Sequence, residues 1–401
     1  MTDHFSRGVD PAALETRPLV GLRVLDMSRL LPGPFAAMAL ADLGAKVDKI
    51  EDAGGGDYLR FMPPHVSTGQ NAVFEMLNRG KRSAVLDLKK APARAAFQKL
   101  ITPSPGRRYD VLIESFRPGV MDRFGLGYTE LAKLNPGLVY CAITGYGQTG
   151  PLAQRAGHDI DYLARAGVLG QTGPEDGAPQ VAGVQMADIG GGATYALVGI
   201  LAALSARGIT GKGRLVDVSM CEGSMSFGAF GLMSAWGGMS LPKGTGPLSG
   251  GIAPFGTYLT KDGRSVALGA LEPKFWTAFA TAVGLTPEMS ALMPGEHQPE
   301  WKRKIAAIFA DKSLEEWIAF GEKVDCCLEP ILTPEEVQKD PQHRARGIIA
   351  DVPLRDGGTM PQIRTPTAAV MAEGFAPRQG EHTAEILREA GLSDAEIAAL
   401  A

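Results

Sequence analysis

Three acid–base side chains stand where the chain turns into a helix. His158 follows Gly157 in AGHDIDYLARAGVLG, where apolar residues take up helical spacing. A histidine at a helix N-terminus faces solvent or a cleft and not the apolar stripe. The backbone N–H groups of His158 and Asp159 are expected there as unpaired donors at the positive end of the helix dipole, and such donors suit a developing oxyanion. The alternative is that both residues only cap the helix. Asp188 precedes Gly190-Gly191-Gly192 and then a strongly apolar segment. Its carboxylate reads either as an N-cap or as a group aimed at a ligand that the glycines admit close to the backbone. Glu272 opens EPKFW between a strand and a helix, and alone it reads as an ordinary acid at a helix start.

The elements that must position these groups follow from periodicity. LRVLDMS (22–28) reads as a buried strand, PFAAMALADLG (34–44) as a helix stopped by Gly44, and AKVDKIE (45–51) as a second strand. That order predicts a parallel sheet. The turn between strand and helix, SRLLPGP, is not G-x-G-x-x-G, and no P-loop pattern occurs, which argues against a nicotinamide, flavin or nucleotide-hydrolysing protein. Further strands are predicted at 81–89, 109–115, 137–147 and 213–220, with helices at 91–101 and 128–134. A Gly-rich turn at 186 leads into an apolar helix ending at Gly208. From about 223 to 257 the chain is a long, partly helical connection rich in Gly, Met, Ser and Phe. A hairpin is predicted over 253–271, turning at Lys261-Asp262-Gly263, then helices at 273–284, 300–311 and 314–322, short strands within 347–366 and a closing helix over 393–401. Residues 1–18 read as a loose leader.

Composition narrows the function classes. A chain of 401 residues exceeds the roughly 250–300 at which single cores split, so two domains are expected. The net charge, 40 − 44 = −4, argues against a nucleic-acid footprint. Cys141, Cys221, Cys326 and Cys327 form no CxxC pair and read as reduced thiols of a cytoplasmic protein. The N-terminus has no signal-peptide core, and no run approaches the ~20 apolar residues of a membrane span, so no membrane partner is expected. The six histidines are scattered, which argues against a dedicated metal site.

Ordered segments between 19 and 276, among them LRVLDMSRLLPGPFAAMALADLGAKVDKIE, NRGKRSAVLDLKK, DVLIESFRPGVMDRFGLG, AGHDIDYLARAGVL, MADIGGG and VALGALEPKFW, resemble the family III CoA-transferases and, within them, the α-methylacyl-CoA racemases. Asp188 matches the aspartate that forms an acyl anhydride in the transferases and serves as one acid/base in the racemases. Gly157–Tyr162 matches the racemase motif G-H-D-I-N-Y, with Asp161 in place of the usual Asn, and Glu272-Pro273 matches its E-P motif. The resemblance implies epimerisation of 2-methylacyl-CoA by 1,1-proton transfer through an enolate. His158 and Asp188 would then stand on the two faces, the Asp159 N–H would be the oxyanion donor, and Glu272 would orient His158. The alternative is CoA transfer to a carboxylate through an Asp188 anhydride, which needs neither His158 nor Glu272. A third reading is a silent CoA-binding scaffold, which would have no reason to keep the acid–base set together. No metal, nicotinamide or flavin is implied; coenzyme A enters only as part of the substrate.

For CoA, the resemblance points to Leu86, Asp87, Leu88 and Lys89, to Arg117 and Arg123, and to Tyr162. Lys89 and Arg123 are phosphate candidates, Leu86 and Leu88 flank the adenine, and Asp159 and Tyr162 lie near the pantetheine. The racemases often carry an Arg just after the second strand, where this chain has Glu51-Asp52-Ala53; Arg60 and Lys81 are candidate substitutes. Met220, Met225, Met233 and Met239 read as core packing or as an adaptable acyl surface. The implied fold is α/β: a large Rossmann-like domain (1–221 and 366–401), linkers 222–252 and 336–365, and a small α+β domain (253–335), in an interlocked homodimer whose active site joins the large domain of one chain to the small domain of the other.

Overall fold

A computed structural model describes residues 11–104 and 108–400. The chain divides into two compact units, one built from 1–163, 185–226 and 341–401, the other from 164–184 and 227–340. Residues 164–184 thus cluster with the smaller unit, although they precede the connection that begins at 222.

The first unit is organised by six strands: β1 (Arg23–Asp26), β2 (Lys46–Glu51), β3 (Arg82–Val85), β4 (Val111–Glu114), β5 (Val139–Thr144) and β6 (Leu215–Ser219). They lie in the order β3-β2-β1-β4-β5-β6, every pair parallel. Parallel strands are covered on both faces, which is why β4 and β5 are buried at every residue and read as continuous apolar runs. The order reverses between β1 and β4. Connections leave that point in opposite directions, and a crevice opens at the carboxyl ends of the strands. The helix Pro32–Asp42 starts with Pro in its first turn, buries all but one of its residues, and is followed by Gly44 at φ +105°.

Three expectations change in the segment after residue 185. Met186–Thr194 is a π-helical stretch and not a glycine turn, and it runs directly into the helix Tyr195–Thr210. Gly208 lies inside that helix; the stop is Gly211, left-handed at φ 69°. Together Met186–Thr210 is long and apolar enough to cross a membrane by length and composition, so the expectation that no run reaches that length does not hold. Here the helix packs on β5 and β6 as a sheet-covering element.

The C-terminal tail is tied back to the N-terminal half by buried charge. Asp42 accepts two bonds from Arg79 (2.8 and 2.6 Å), two from Thr365 (both 2.9 Å) and one from the Ala372 N–H (2.7 Å). Nearby, Arg82 joins Asp48 to Glu385 and Glu389. A hairpin of β10 (Ile349–Pro353) and β11 (Thr359–Ile363) precedes the tail. Of the leader, Pro11–Thr16 is helical and residues 1–10 lie outside the described residues.

The second unit holds the expected hairpin, β7 (Phe255–Leu259) and β8 (Ser265–Gly269), turned by Gly263 at φ +73°. A third strand, β9 (Leu328–Pro330), pairs with β8 and was too short to show a period. Trp276, Phe279, Phe309 and Trp317 fill the core against the helices Pro273–Ala282, Gln298–Phe309 and Leu314–Gly321. None of the four cysteines is bridged.

Candidate active site

Two cavities lie along the carboxyl edge of the parallel sheet, one on each side of the point where the strand order reverses. The first, about 510 Å³, is walled by the turns after β1, β4, β5 and β6 and includes His158, Tyr162 and Asp188. The second, about 590 Å³, is walled by the ends of β1, β2 and β3 and includes Leu86, Asp87, Leu88 and Lys89. Arg29 and Phe116 line both, so the two cavities share a wall at the reversal point.

His158 precedes the helix Asp159–Arg165 and is exposed in the first cavity. Its own N–H is not free: it donates to the Asp161 side chain at 2.9 Å, which corrects the expectation of two open donors. The Asp159 N–H has no partner among the described residues, as the first N–H of a helix should not. Asp161 therefore has a defined task at the position where the resembling motif has Asn. Either side chain offers an oxygen to that N–H, and the carboxylate adds a negative charge at the positive helix end. The turn before His158 is held by Tyr162, which is buried and donates to the Gly157 carbonyl at 2.5 Å while its ring meets Tyr146 edge-on. A Cβ at Gly157 or at Gly145 would stand within 2.7 Å of that ring, so both glycines make room for Tyr162.

Asp188 sits in the π-helical stretch, half-buried, and is not the N-cap. The capping carboxylate is Asp159, which accepts from the Ala187 N–H (2.7 Å) and the Asp188 N–H (2.9 Å). Thus the residue after His158 fixes the backbone of Asp188, and the two candidate groups are joined through one side chain. Burial pushes the Asp188 carboxyl up to about 6, the Asp159 charge adds to the rise, and His158 opposes it. Of the glycines after Asp188, Gly191 and Gly192 make room for packed neighbours. A Cβ on Gly191 would lie 2.6 Å from the Met220 carbonyl, and one on Gly223 would lie 2.0 Å from the Gly191 carbonyl. π-helical segments recur at functional sites because they re-aim a side chain within a helix.

Comparison with known proteins identifies the family. The model of CoA-transferase family III matches residues 19–383. The chain belongs to that family. It is 37% identical to the α-methylacyl-CoA racemase of Mus musculus over 389 residues, covering 94% of this chain and 95% of that one. It is 34% identical to the acetyl-CoA:oxalate CoA-transferase of Acetobacter aceti, covering 94% of this chain and 97% of that one. The crystal structure of a CaiB/BaiF family protein from Brucella suis superposes with a TM-score of 0.79 at 31% identity, covering 94% of this chain and all of that one.

The remaining candidate residues divide between the cavities. Leu86 and Leu88 belong to the core of the first unit and show an edge to the second cavity, while Lys89 is exposed at its rim. Arg117 lines the first cavity, as does Arg155. Arg123 ends the short helix Val120–Arg123 and lies outside both linings, although Val120 and Phe124 line the second. Arg60 and Lys81 are not substitute phosphate ligands. Arg60 is bound to Glu51 through two bonds (2.9 and 2.6 Å), and Lys81 is fully buried against Asp26 at 2.9 Å. Met220 lines the first cavity, whereas Met233 and Met239 are exposed on the second unit. Glu272 also belongs to the second unit, exposed at the start of Pro273–Ala282 with no side-chain cap bond. Sequence reasoning did not single out Arg29, which lines both cavities. Its position directly after β1, in the turn at the reversal point, was the available signal.

Among the described residues no cluster of His, Cys, Asp or Glu could hold a metal ion.

Proposed function

We propose that the protein is an α-methylacyl-CoA racemase. The observation that carries this reading is one cavity lined by His158 and by a carboxyl, Asp188, whose proton is held to about pH 6. Stereoinversion needs a base on one face of the α-carbon and an acid on the other. His158 takes the α-proton, the electron pair moves onto the thioester oxygen, and the Asp159 N–H receives that charge. Asp188 returns a proton to the opposite face, and the reverse reaction exchanges the roles. The 37% identity to a racemase over nearly the whole chain supports the same reading. Glu272 enters on the resemblance of its E-P motif alone, and no metal or redox cofactor is assigned a part.

Incubation of a 2-methylacyl-CoA in D₂O, with no acceptor acid, tests it. Deuterium is expected at the α-carbon of both epimers, and His158→Ala is expected to lower exchange roughly 10²- to 10⁴-fold. Exchange undiminished in that variant overturns the assignment. The 34% identity to a CoA-transferase keeps a second reading in play: CoA transfer that requires an added carboxylate and survives in His158→Ala, through an anhydride on Asp188.

We also infer a homodimer. The helix Ala229–Trp236 buries none of its residues and presents Phe230, Met233 and Trp236. Apolar surface of that extent is normally covered by a partner. Light scattering at micromolar concentration is expected to give twice the chain mass, and a monomer there excludes it.

A further inference from the structure

The turn after β1 is held far more firmly than a solvent-edge loop requires. Leu30 sits in the left-handed region at φ 61°, which disfavours a residue with a side chain. Asp57, fully buried, accepts the Leu30 N–H at 3.0 Å and caps the turn carrying Tyr58. Lys49, also fully buried, pairs with Asp57 at 3.0 Å and donates to the Ser28 carbonyl at 2.7 Å. A second buried pair, Lys81 and Asp26, holds both ends of the turn: Asp26 accepts the Ser28 N–H at 3.0 Å, and Lys81 donates to the Pro34 carbonyl at 3.2 Å. Buried ion pairs add little stability over apolar packing, so two of them under one turn indicate a demand for position.

The residue so positioned is Arg29. Its guanidinium stands at the wall shared by the two cavities, over the rings of Tyr58 (5.3 Å) and Phe116 (5.8 Å). One Nη donates to the Tyr58 hydroxyl at 3.1 Å and the other pairs with Asp52. A guanidinium carries five N–H donors, so further donors remain for an anion. Asp52 in turn accepts from the backbone of Gly54 and Gly56, which anchors the acid that holds the arginine. The stretch after β2 thus supplies a carboxylate where a cation was expected. The cation arrives instead from the turn after β1 and is clamped against that carboxylate.

We propose that Arg29 is a phosphate anchor for the nucleotide portion of a CoA thioester, replacing a cation after β2, with Asp52, Asp57 and Lys49 as its positioning residues. The inference rests on the CoA-thioester reading above. An anion at Arg29 bridges the cavity that holds Leu86 and Leu88 to the one that holds His158 and Asp188. Arg117 and Arg155 extend the positive charge on the latter side.

The test compares two substrates with the same 2-methylacyl group, one on CoA and one on pantetheine, which lacks every phosphate. Wild-type enzyme is expected to exchange the α-proton of both, with a lower KM for the CoA thioester. Arg29→Gln is expected to raise KM for the CoA thioester roughly ten- to hundredfold more than KM for the pantetheine thioester, the range for loss of a charge-assisted hydrogen bond. Ala53 is exposed and lines the same cavity, so Ala53→Arg added to Arg29→Gln is expected to restore most of the CoA preference. Equal loss on both thioesters, or no change on the CoA thioester, overturns the proposal. Absence of exchange with either substrate in the wild type would instead strike the racemase reading.

Discussion

At the residue scale, the decisive feature is a carboxyl whose proton affinity is set by its surroundings. Asp188 is half-buried beside a second carboxylate, and both effects favour its neutral form. In the unfolded chain the same group ionises near its ordinary value of 3.8. Between about pH 4 and 6 the folded protein therefore keeps a proton that the unfolded chain releases, and folding loses stability as pH rises through that window. Asp188→Asn removes this dependence. Calorimetric scans are expected to show the variant melting above the parent at pH 8, with the gap closing below pH 4, while α-proton exchange is lost. A variant less stable than its parent at pH 8 would mean that the carboxylate is held by partners the structure does not contain. His158 and Asp188 were readable as candidates from their types and neighbours. The bond from Asp159 to the Asp188 N–H, which couples them, was not, because it joins side chain and backbone across 29 positions.

At the element scale, the π-helical stretch and the helix Met220–Met225 are fitted through glycine. The missing Cβ at Gly191 leaves room for the Met220 carbonyl and Ser224, whose nearest atoms would lie 2.6–2.9 Å from it. Gly191→Ala is expected to cost about 1–3 kcal/mol in urea unfolding, as overpacking does, and to lower kcat more than KM by displacing Asp188. Retention of full kcat in a destabilised variant would separate packing from alignment. The glycines were visible in the sequence and were read as room for a ligand. Nothing in a linear pattern says whether the space beside a glycine is filled by substrate or by another helix.

For the whole molecule, the notable bond set is the one around Asp42, which binds the returning tail to the helix Pro32–Asp42. Removing it leaves the Arg79 guanidinium buried without its acid and three tail donors without an acceptor. Asp42→Ala is expected to cost about 3–5 kcal/mol and to speed proteolysis near 353–366. As a control, Glu130→Ala breaks the exposed pair with Lys133 and is expected to change stability by less than about 1 kcal/mol.

The sequence by itself determined the six parallel strands, the hairpin of the second unit and the candidate acid–base pair. Each depends on local periodicity or on a short motif, and buried parallel strands carry continuous apolar runs that are hard to mistake. The tertiary structure alone decided which cations are available. Arg60 and Lys81 look like free charges in a string of letters and are buried against Glu51 and Asp26, whereas Arg29, paired with Asp52 through one nitrogen, stays partly open between two cavities. The physical reason is that a charge is defined by its partners, and partners are set by which strands lie side by side. In this fold β1 meets β2 and β4, so residues far apart in the chain share one edge where a ligand can bind.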